Sequence, residues 1–260
     1  SQKTLLLNQL IKFQIYNMNK IKKIFITGAT GGIGSAITEL FYNKKFSLVL
    51  TSSSDQKISD LKSKFGNNHY YYKTDLSNVE NLQDSLNNIS KQHKDISIIV
   101  NNAGATEDSL IFRMNNEQWS KVMQTNLTSN YQIIKTLLPN MLSHKYGKII
   151  GISSIVGVTG NPGQSNYVAS KSGMVGLYKS IALEVAKRNI NVNVISPGFI
   201  STSMTDNLSS DQKNSYLSRI PMSRFGKPED IANLVYFLSS DQSSYITGQN
   251  FHINGGMLMV

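Results

Sequence analysis

At 260 residues the chain suits one large domain and is short for two, and 40% hydrophobic with 16% charged residues is the composition of a packed globular protein, not a disordered one. Cysteine is absent and the four histidines are widely spaced, which excludes disulfides, thiolate zinc sites and cysteine nucleophiles, argues against a metal site, and fits a reducing compartment. No apolar run approaches the roughly 20 residues that cross a bilayer, so a soluble protein is expected; the formal charge of +10 points either to an anionic partner or to a lysine-rich composition bias without function.

Residues 1–20 carry Lys3 and Lys12, no acidic residue, and a Leu5-Leu6-Leu7 cluster ahead of the start-like Met18. They read as an N-terminal extension outside the core: a targeting remnant, an amphipathic arm, or upstream sequence without a role, the last being preferred. The location expected is cytoplasmic, or an organelle if the extension is a processed targeting segment.

The first strand is expected over Lys23 to Thr27. It runs into Gly28-Ala29-Thr30-Gly31-Gly32-Ile33-Gly34 and a helical pattern through Ile37, Leu40 and Phe41. Strand, glycine turn and helix let a backbone approach a pyrophosphate, whose charge meets N–H groups at the helix N-terminus; a plain tight turn is the alternative. The spacing is Gly28-x-x-x-Gly32-x-Gly34. The second strand, Ser47 to Leu50, ends in Thr51-Ser52-Ser53-Ser54, with no acid to accept from ribose hydroxyls. Hydroxyls without a carboxylate accept a 2′-phosphate that an acid would repel, so NADP is favoured over NAD, unless the serines touch nothing.

A strand at Tyr70 to Lys73 leads to Asp75-Leu76 and a helix over Val79 to Gln92. Asp75 either holds an adenine amino group or caps the turn. Ile96 to Val100 is a further strand, followed by Asn101-Asn102-Ala103-Gly104, whose small residues let backbone pass close to a flat ring. This alternation predicts an α/β fold: one doubly wound parallel sheet of about seven strands, helices on both faces, in a single domain over 21–260. Asn116 to Leu142 has helical spacing, with Asn126 interrupting its apolar side as either a hydrogen-bond bridge or part of a polar site.

Lys148 to Ile152 reads as a buried strand closed by Ser154, and Gly157 to Gly163 as a loop. Tyr167 and Lys171 follow at i, i+4, one helical turn apart on one face. A nearby ammonium lowers a phenol pKa from roughly 10, which makes Tyr167 a candidate general acid and base; an ordinary surface pair is the alternative. Asn191 to Ser196 is a strand ending in Pro197-Gly198-Phe199-Ile200-Ser201-Thr202, at the strand end where open α/β sheets bind ligands. A helix near Pro228 to Leu238 and a last strand near Phe251 to Ile253 complete the chain.

Gly28-x-x-x-Gly32-x-Gly34, Asn101-Asn102-Ala103-Gly104, Asn126, Ser154, Tyr167-x-x-x-Lys171 and Pro197-Gly198 stand in the order and spacing of the classical short-chain dehydrogenases/reductases, which the chain resembles from about Met18 to Val260. Within that family Ile155-Val156-Gly157, Gly160-Asn161, Gly163-Gln164, Pro197-Gly198-Phe199-Ile200, Met204-Thr205 and Asn254-Gly255-Gly256-Met257 are similar to the 3-oxoacyl-acyl-carrier-protein reductases of fatty-acid synthesis. The resemblance implies a Rossmann-type fold and a catalytic set of Asn126, Ser154, Tyr167 and Lys171, with Asn126 holding a water in a proton relay to Lys171. It implies NADP(H) binding by Gly28, Thr30, Gly32, Ile33, Gly34, Thr51, Ser52, Asp75, Leu76, Asn102, Ala103, Gly104, Tyr167, Lys171, Pro197, Gly198, Ile200 and Thr202. It further implies a homotetramer, and an acidic acyl-carrier protein docking at Lys145 and Arg188 beside the active-site mouth. One departure is Gly31, where that group commonly has an arginine for the 2′-phosphate. Reduction of another ketone, such as acetoacetyl-CoA, a sugar or a steroid, and a non-catalytic binding module are the other readings; an intact Ser154, Tyr167, Lys171 and Asn126 set argues against the module. No nucleic-acid motif accompanies the charge.

Overall fold

The computed structural model describes residues 23–202 and 209–260; the expected N-terminal extension and Met204-Thr205 lie outside the described residues. β1 (Lys23–Ile26), β2 (Ser47–Ser52), β3 (Tyr70–Lys73), β4 (Ile96–Asn101), β5 (Gly147–Ile152), β6 (Ile190–Pro197) and β7 (Asn250–Ile253) form one seven-stranded sheet in the order β3-β2-β1-β4-β5-β6-β7. Every pairing is parallel. β1, β5 and β6 are buried along their whole length, as strands covered on both faces must be, and in β6 this includes the polar Asn191, Asn193 and Ser196.

Side-chain alternation divides β1 between two cores. Ile24 and Ile26 join Leu48 and Leu50 under α1 (Gly32–Asn43), α2 (Asp55–Phe65) and, later in the chain, α9 (Pro228–Leu238), while Phe25 and Val49 face the opposite layer. That opposite layer contains α3 (Val79–Gln92), α5 (Ser129–His144) and α7 (Ser165–Val185), which contribute Leu82, Leu86, Ile133, Leu137 and Met174. Each fully buried side chain of this size contributes roughly 1.5–3 kcal/mol relative to exposure. The order in which strands are added reverses between β1 and β4, whose ends pair at Ile26 and Val100. The turns leaving these two strands therefore face one crevice, the ligand position of an open doubly wound sheet.

The long helix expected over Asn116 to Leu142 is two helices. α4 (Asn116–Met123) and α5 are joined by a π turn, Gln124–Thr128, at whose centre Asn126 is buried. The expected loop after Ser154 opens with a short helix, α6 (Val156–Thr159). α2 has few apolar residues, but Ser54 caps its first turn and Gly66 ends it at φ 79°, and only Ile58, Leu61 and Phe65 face inward. α8 (Ser210–Leu217) begins with a capping box from Ser209 and Gln212 and buries none of its residues, so it carries no apolar stripe to read.

Candidate active site

The glycine turn leaves β1 with Gly28 at φ 66°, a conformation open to glycine. A Cβ on Gly34 would lie 2.0 Å from the Gly28 carbonyl oxygen, so the first turn of α1 seats directly on the loop. Gly31 caps α1 without a side-chain hydrogen bond, and no acid stands in the first turn. That end keeps free N–H groups and a positive dipole, which fits the pyrophosphate of a dinucleotide. Thr202 lies over the turn, since a Cβ on Gly32 would meet its Cγ2 at 2.5 Å. Ile33 packs partly buried against the core.

Asn102 ties the turn to β4. Its Nδ2 donates to the carbonyls of Thr27 and Gly28, each at 3.1 Å, while its own N–H and that of Ala103 donate to Thr27 Oγ1 at 3.0 and 3.1 Å. Thr51 is buried and its carbonyl accepts from Ala29 N–H; Ser52 Oγ lies 3.3 Å from Thr30 Oγ1. Ser54 is spent as the α2 cap, and the first acid, Asp55, is held by Lys73 at 2.6 Å. Asp75 Oδ1 accepts from the N–H and hydroxyl of Ser77, so it builds the turn before α3, with Leu76 buried beside it. At the far side Pro197 ends β6, Gly198 N–H donates to the Ile253 carbonyl at 2.8 Å, and Ile200 is buried beside Gly226.

Ser154, Tyr167, Lys171 and Asn126 converge at the C-terminal ends of β4 and β5. The Ser154 side chain stands beside the Tyr167 phenol and favours its ionised form, while its Oγ accepts from Val156 N–H at 3.4 Å. Tyr167 is positioned by the fully buried Asn166, whose Oδ1 accepts the Tyr167 N–H at 2.7 Å while Nδ2 donates to the Glu107 and Gln118 carbonyls. Lys171 Nζ lies 5.5 Å from the centre of the Tyr167 ring. The expected cause of a lowered phenol pKa is corrected here: burial raises Tyr167, the Ser154 side chain offsets part of this, and nearby Asp108, clamped by Gln164, adds to the rise. Lys171 is itself pulled down to about 8 by burial.

Asn126 spends its side chain on protein groups. Oδ1 accepts from Ala105 N–H at 2.8 Å, and Nδ2 donates to the Ala105 carbonyl at 2.9 Å and to Ser170 Oγ at 3.1 Å. A water in the expected relay would therefore meet its main-chain carbonyl, which has a second lone pair. Gly104 separates Asn126 from Lys171: a Cβ there would lie 3.3 Å from Asn126 Oδ1 and 3.4 Å from Lys171 Nζ. Asn166, Ser170, Asn130 and Tyr178 are site-supporting residues that pattern reading missed; Asn130, four residues after Asn126 on the same apolar side, was the available signal.

Lys145 and Arg188 do not flank this site within the chain. They end α5 and the 3-10 turn after α7, next to the entering ends of β5 and β6, where Gly147 N–H meets the Asn189 carbonyl. Tyr167 stands near the opposite end of α7, roughly 30 Å away at 1.5 Å per residue. Helix-following basic residues in this fold fall at the wrong end of the sheet, because helices run antiparallel to the strands.

A glycine turn on β1, tied by Asn102 to β4 and facing Ser154, Tyr167 and Lys171, defines a dinucleotide-dependent oxidoreductase site. The family model described as Enoyl-(Acyl carrier protein) reductase matches residues 28–258, and the chain belongs to the short-chain dehydrogenase/reductase family, which uses nicotinamide cofactors. It is 46% identical over 239 residues to a protein of Rickettsia felis, covering 92% of this chain and 98% of that one. It is 44% identical over 238 residues to a protein of Haemophilus influenzae, at 92% and 98% coverage. It is 41% identical over 244 residues to one of Buchnera aphidicola, at 94% and 100%. All three relatives are named 3-oxoacyl-[acyl-carrier-protein] reductase FabG.

Proposed function

We propose that the chain reduces the 3-ketone of an acyl group borne on acyl-carrier protein to the 3-hydroxyl, with NADPH as the donor. The observation carrying this reading is Lys171 Nζ held 5.5 Å from the centre of the buried Tyr167 ring, with Ser154 beside the phenol. Bound nicotinamide would supply hydride to the ketone carbon. Ser154 donates a hydrogen bond to the ketone oxygen, and Tyr167 gives that oxygen its proton as negative charge develops. Lys171, in its charged form, stabilises the phenolate left on Tyr167; solvent restores the phenol proton by way of Lys171 and a water at the Asn126 main-chain carbonyl, and the Asn126 side chain holds the loop that lines Lys171. Gly28, Gly32 and Gly34 seat the pyrophosphate, and Thr30, Thr51 and Ser52 suit a 2′-phosphate. The folded domain is taken as 21–260, assembled as a homotetramer.

The description of the matching family model favours a second reading, reduction of a 2-enoyl group, whereas the nearly full-length relatives are named for ketone reduction. Assay of NADPH oxidation with acetoacetyl- and crotonyl-carrier protein separates them. Turnover of the ketone is expected; turnover of the enoyl substrate alone overturns the proposal. Acetoacetyl-CoA in place of the carrier tests whether the protein part of the substrate contributes.

A further inference from the structure

Two turns beyond Lys171, on the same face of α7, Tyr178 is 1% exposed inside the apolar layer formed by α3, α5 and α7. Its hydroxyl accepts from Asn101 Nδ2 at 2.7 Å and donates to Asn130 Oδ1 at 2.8 Å. Asn130 Nδ2 donates in turn to the main-chain carbonyl of Asn126 at 2.9 Å. A polar line thus runs from the end of β4 through α7 and α5 to the π turn, with all four residues buried. A phenol and two amides in an apolar layer are costly unless satisfied; Tyr178 and Asn130 have partners on every side-chain polar atom while Asn101 Oδ1 has none, so the arrangement is fixed most firmly at the Asn130 end. Space for the ring comes from Gly151 on β5, where a Cβ would lie 2.7 Å from Tyr178 Cε1 and Cζ.

The line ends where precision matters. The π turn departs from regular helical bonding: the Gln124 carbonyl is met by Ser129 N–H, the Thr125 and Asn126 carbonyls also accept from the side chains of Ser129 and Asn130, and Asn126 is the central residue. The Asn126 side chain holds Ala105 and Ser170, one residue from Gly104 and Lys171 respectively. We propose that Tyr178 and Asn130 are positioning residues for the reaction: they fix the Asn126 carbonyl and, through Asn126, the enclosure of the Lys171 ammonium. This rests on the reductase reading above and deepens it.

Tyr178→Phe keeps the ring and removes only the hydroxyl. With acetoacetyl-carrier protein and NADPH, kcat is expected to fall about tenfold to a hundredfold, the cost of slight misplacement, with both KM values within twofold and the alkaline limb of the pH profile displaced. Asn130→Leu gives the same pattern and carries these expectations alone if Tyr178→Phe does not fold. Asn101→Ala, farther from Asn126 along the line, gives a smaller loss. Amide exchange, which needs no substrate, is expected to quicken in Tyr178→Phe over residues 124–130 only. An unchanged kcat and pH profile, or losses that follow each variant's drop in Tm instead of its place in the line, would overturn the proposal. If the wild-type chain reduces no ketone, the reductase reading has failed separately, and the exchange result alone decides whether Tyr178 holds the π turn.

Discussion

Lys171 Nζ donates to the carbonyl of Ile152 at 2.8 Å, so the ammonium facing the Tyr167 ring is anchored to β5, the strand that delivers Ser154. Burial at this anchor lowers the Lys171 pKa to about 8. The cationic form supports reduction, so kcat/KM for ketone reduction is expected to hold below pH 8 and fall as pH rises through it. A flat profile to pH 9.5 would show that the ammonium is not required. The stability sign is opposite. The folded pKa lies below the unfolded lysine value near 10.4, so the folded state carries a penalty of about 3 kcal/mol below pH 8, relieved between pH 8 and 10.4. Lys171→Met is accordingly expected to lose activity without losing Tm at pH 7; a drop of more than about 4 °C, roughly 1 kcal/mol or more, would contradict this.

Tyr167→Phe removes the proton donor while the ring stays on α7. A general acid is typically worth about 100 to 10,000-fold in rate. Turnover should fall in that range, with NADPH affinity, read by fluorescence titration, little changed. Retention of more than a tenth of wild-type turnover would remove Tyr167 from the proton transfer.

For the cofactor, the absence of an acid from Thr51 to Ser54 leads to a preference for NADPH over NADH in kcat/KM. Gly31 limits that preference for want of a cation, yet the position can accept one. Its φ of −71° and ψ of 165° suit any residue, and a Cβ there would have only the Gly28 carbonyl oxygen within 4 Å, at 3.6 Å. Gly31→Arg is therefore expected to fold normally and to raise NADPH selectivity, by pairing the 2′-phosphate with a guanidinium. Equal selectivity in the two proteins would place the 2′-phosphate elsewhere.

β1 was legible because a buried parallel strand is an apolar run; the edge strand β3 was legible from its successive tyrosines, and the expected Val79 to Gln92 helix matches α3. The Gly28, Ser154 and Tyr167-x-x-x-Lys171 motifs were legible because each depends on local spacing. The π turn at Gln124–Thr128 was hidden: an inserted residue shifts helical phase by about 100°, but apolar residues on both sides of the turn are numerous enough to read as one broad stripe. Tyr178 was hidden for another reason: buried among apolar neighbours it reads as core, and only the fold brings Asn101 and Asn130 to its hydroxyl. Lys145 and Arg188 were legible as cations following α5 and α7, but only the fold shows that those helix ends lie, within one chain, at the opposite end of the sheet from Tyr167.

The turn before α4 presents Leu110, Ile111 and Phe112 at 47%, 68% and 74% exposure, and Trp119 and Tyr131 on α4 and α5 are also exposed. Isolated apolar side chains on a surface are ordinary, but three in succession beside exposed aromatics mark a surface that gains from being covered. A second copy is the expected cover, because closed symmetric homo-oligomers are the commonest soluble assemblies. Sedimentation at micromolar concentration is expected to give a tetramer. Ile111→Glu with Phe112→Glu should shift it toward smaller species, since two carboxylates would have to be desolvated in the contact. If the unaltered chain sediments as a monomer, self-association is wrong; if it is a tetramer and the double variant remains one, the assembly uses another surface.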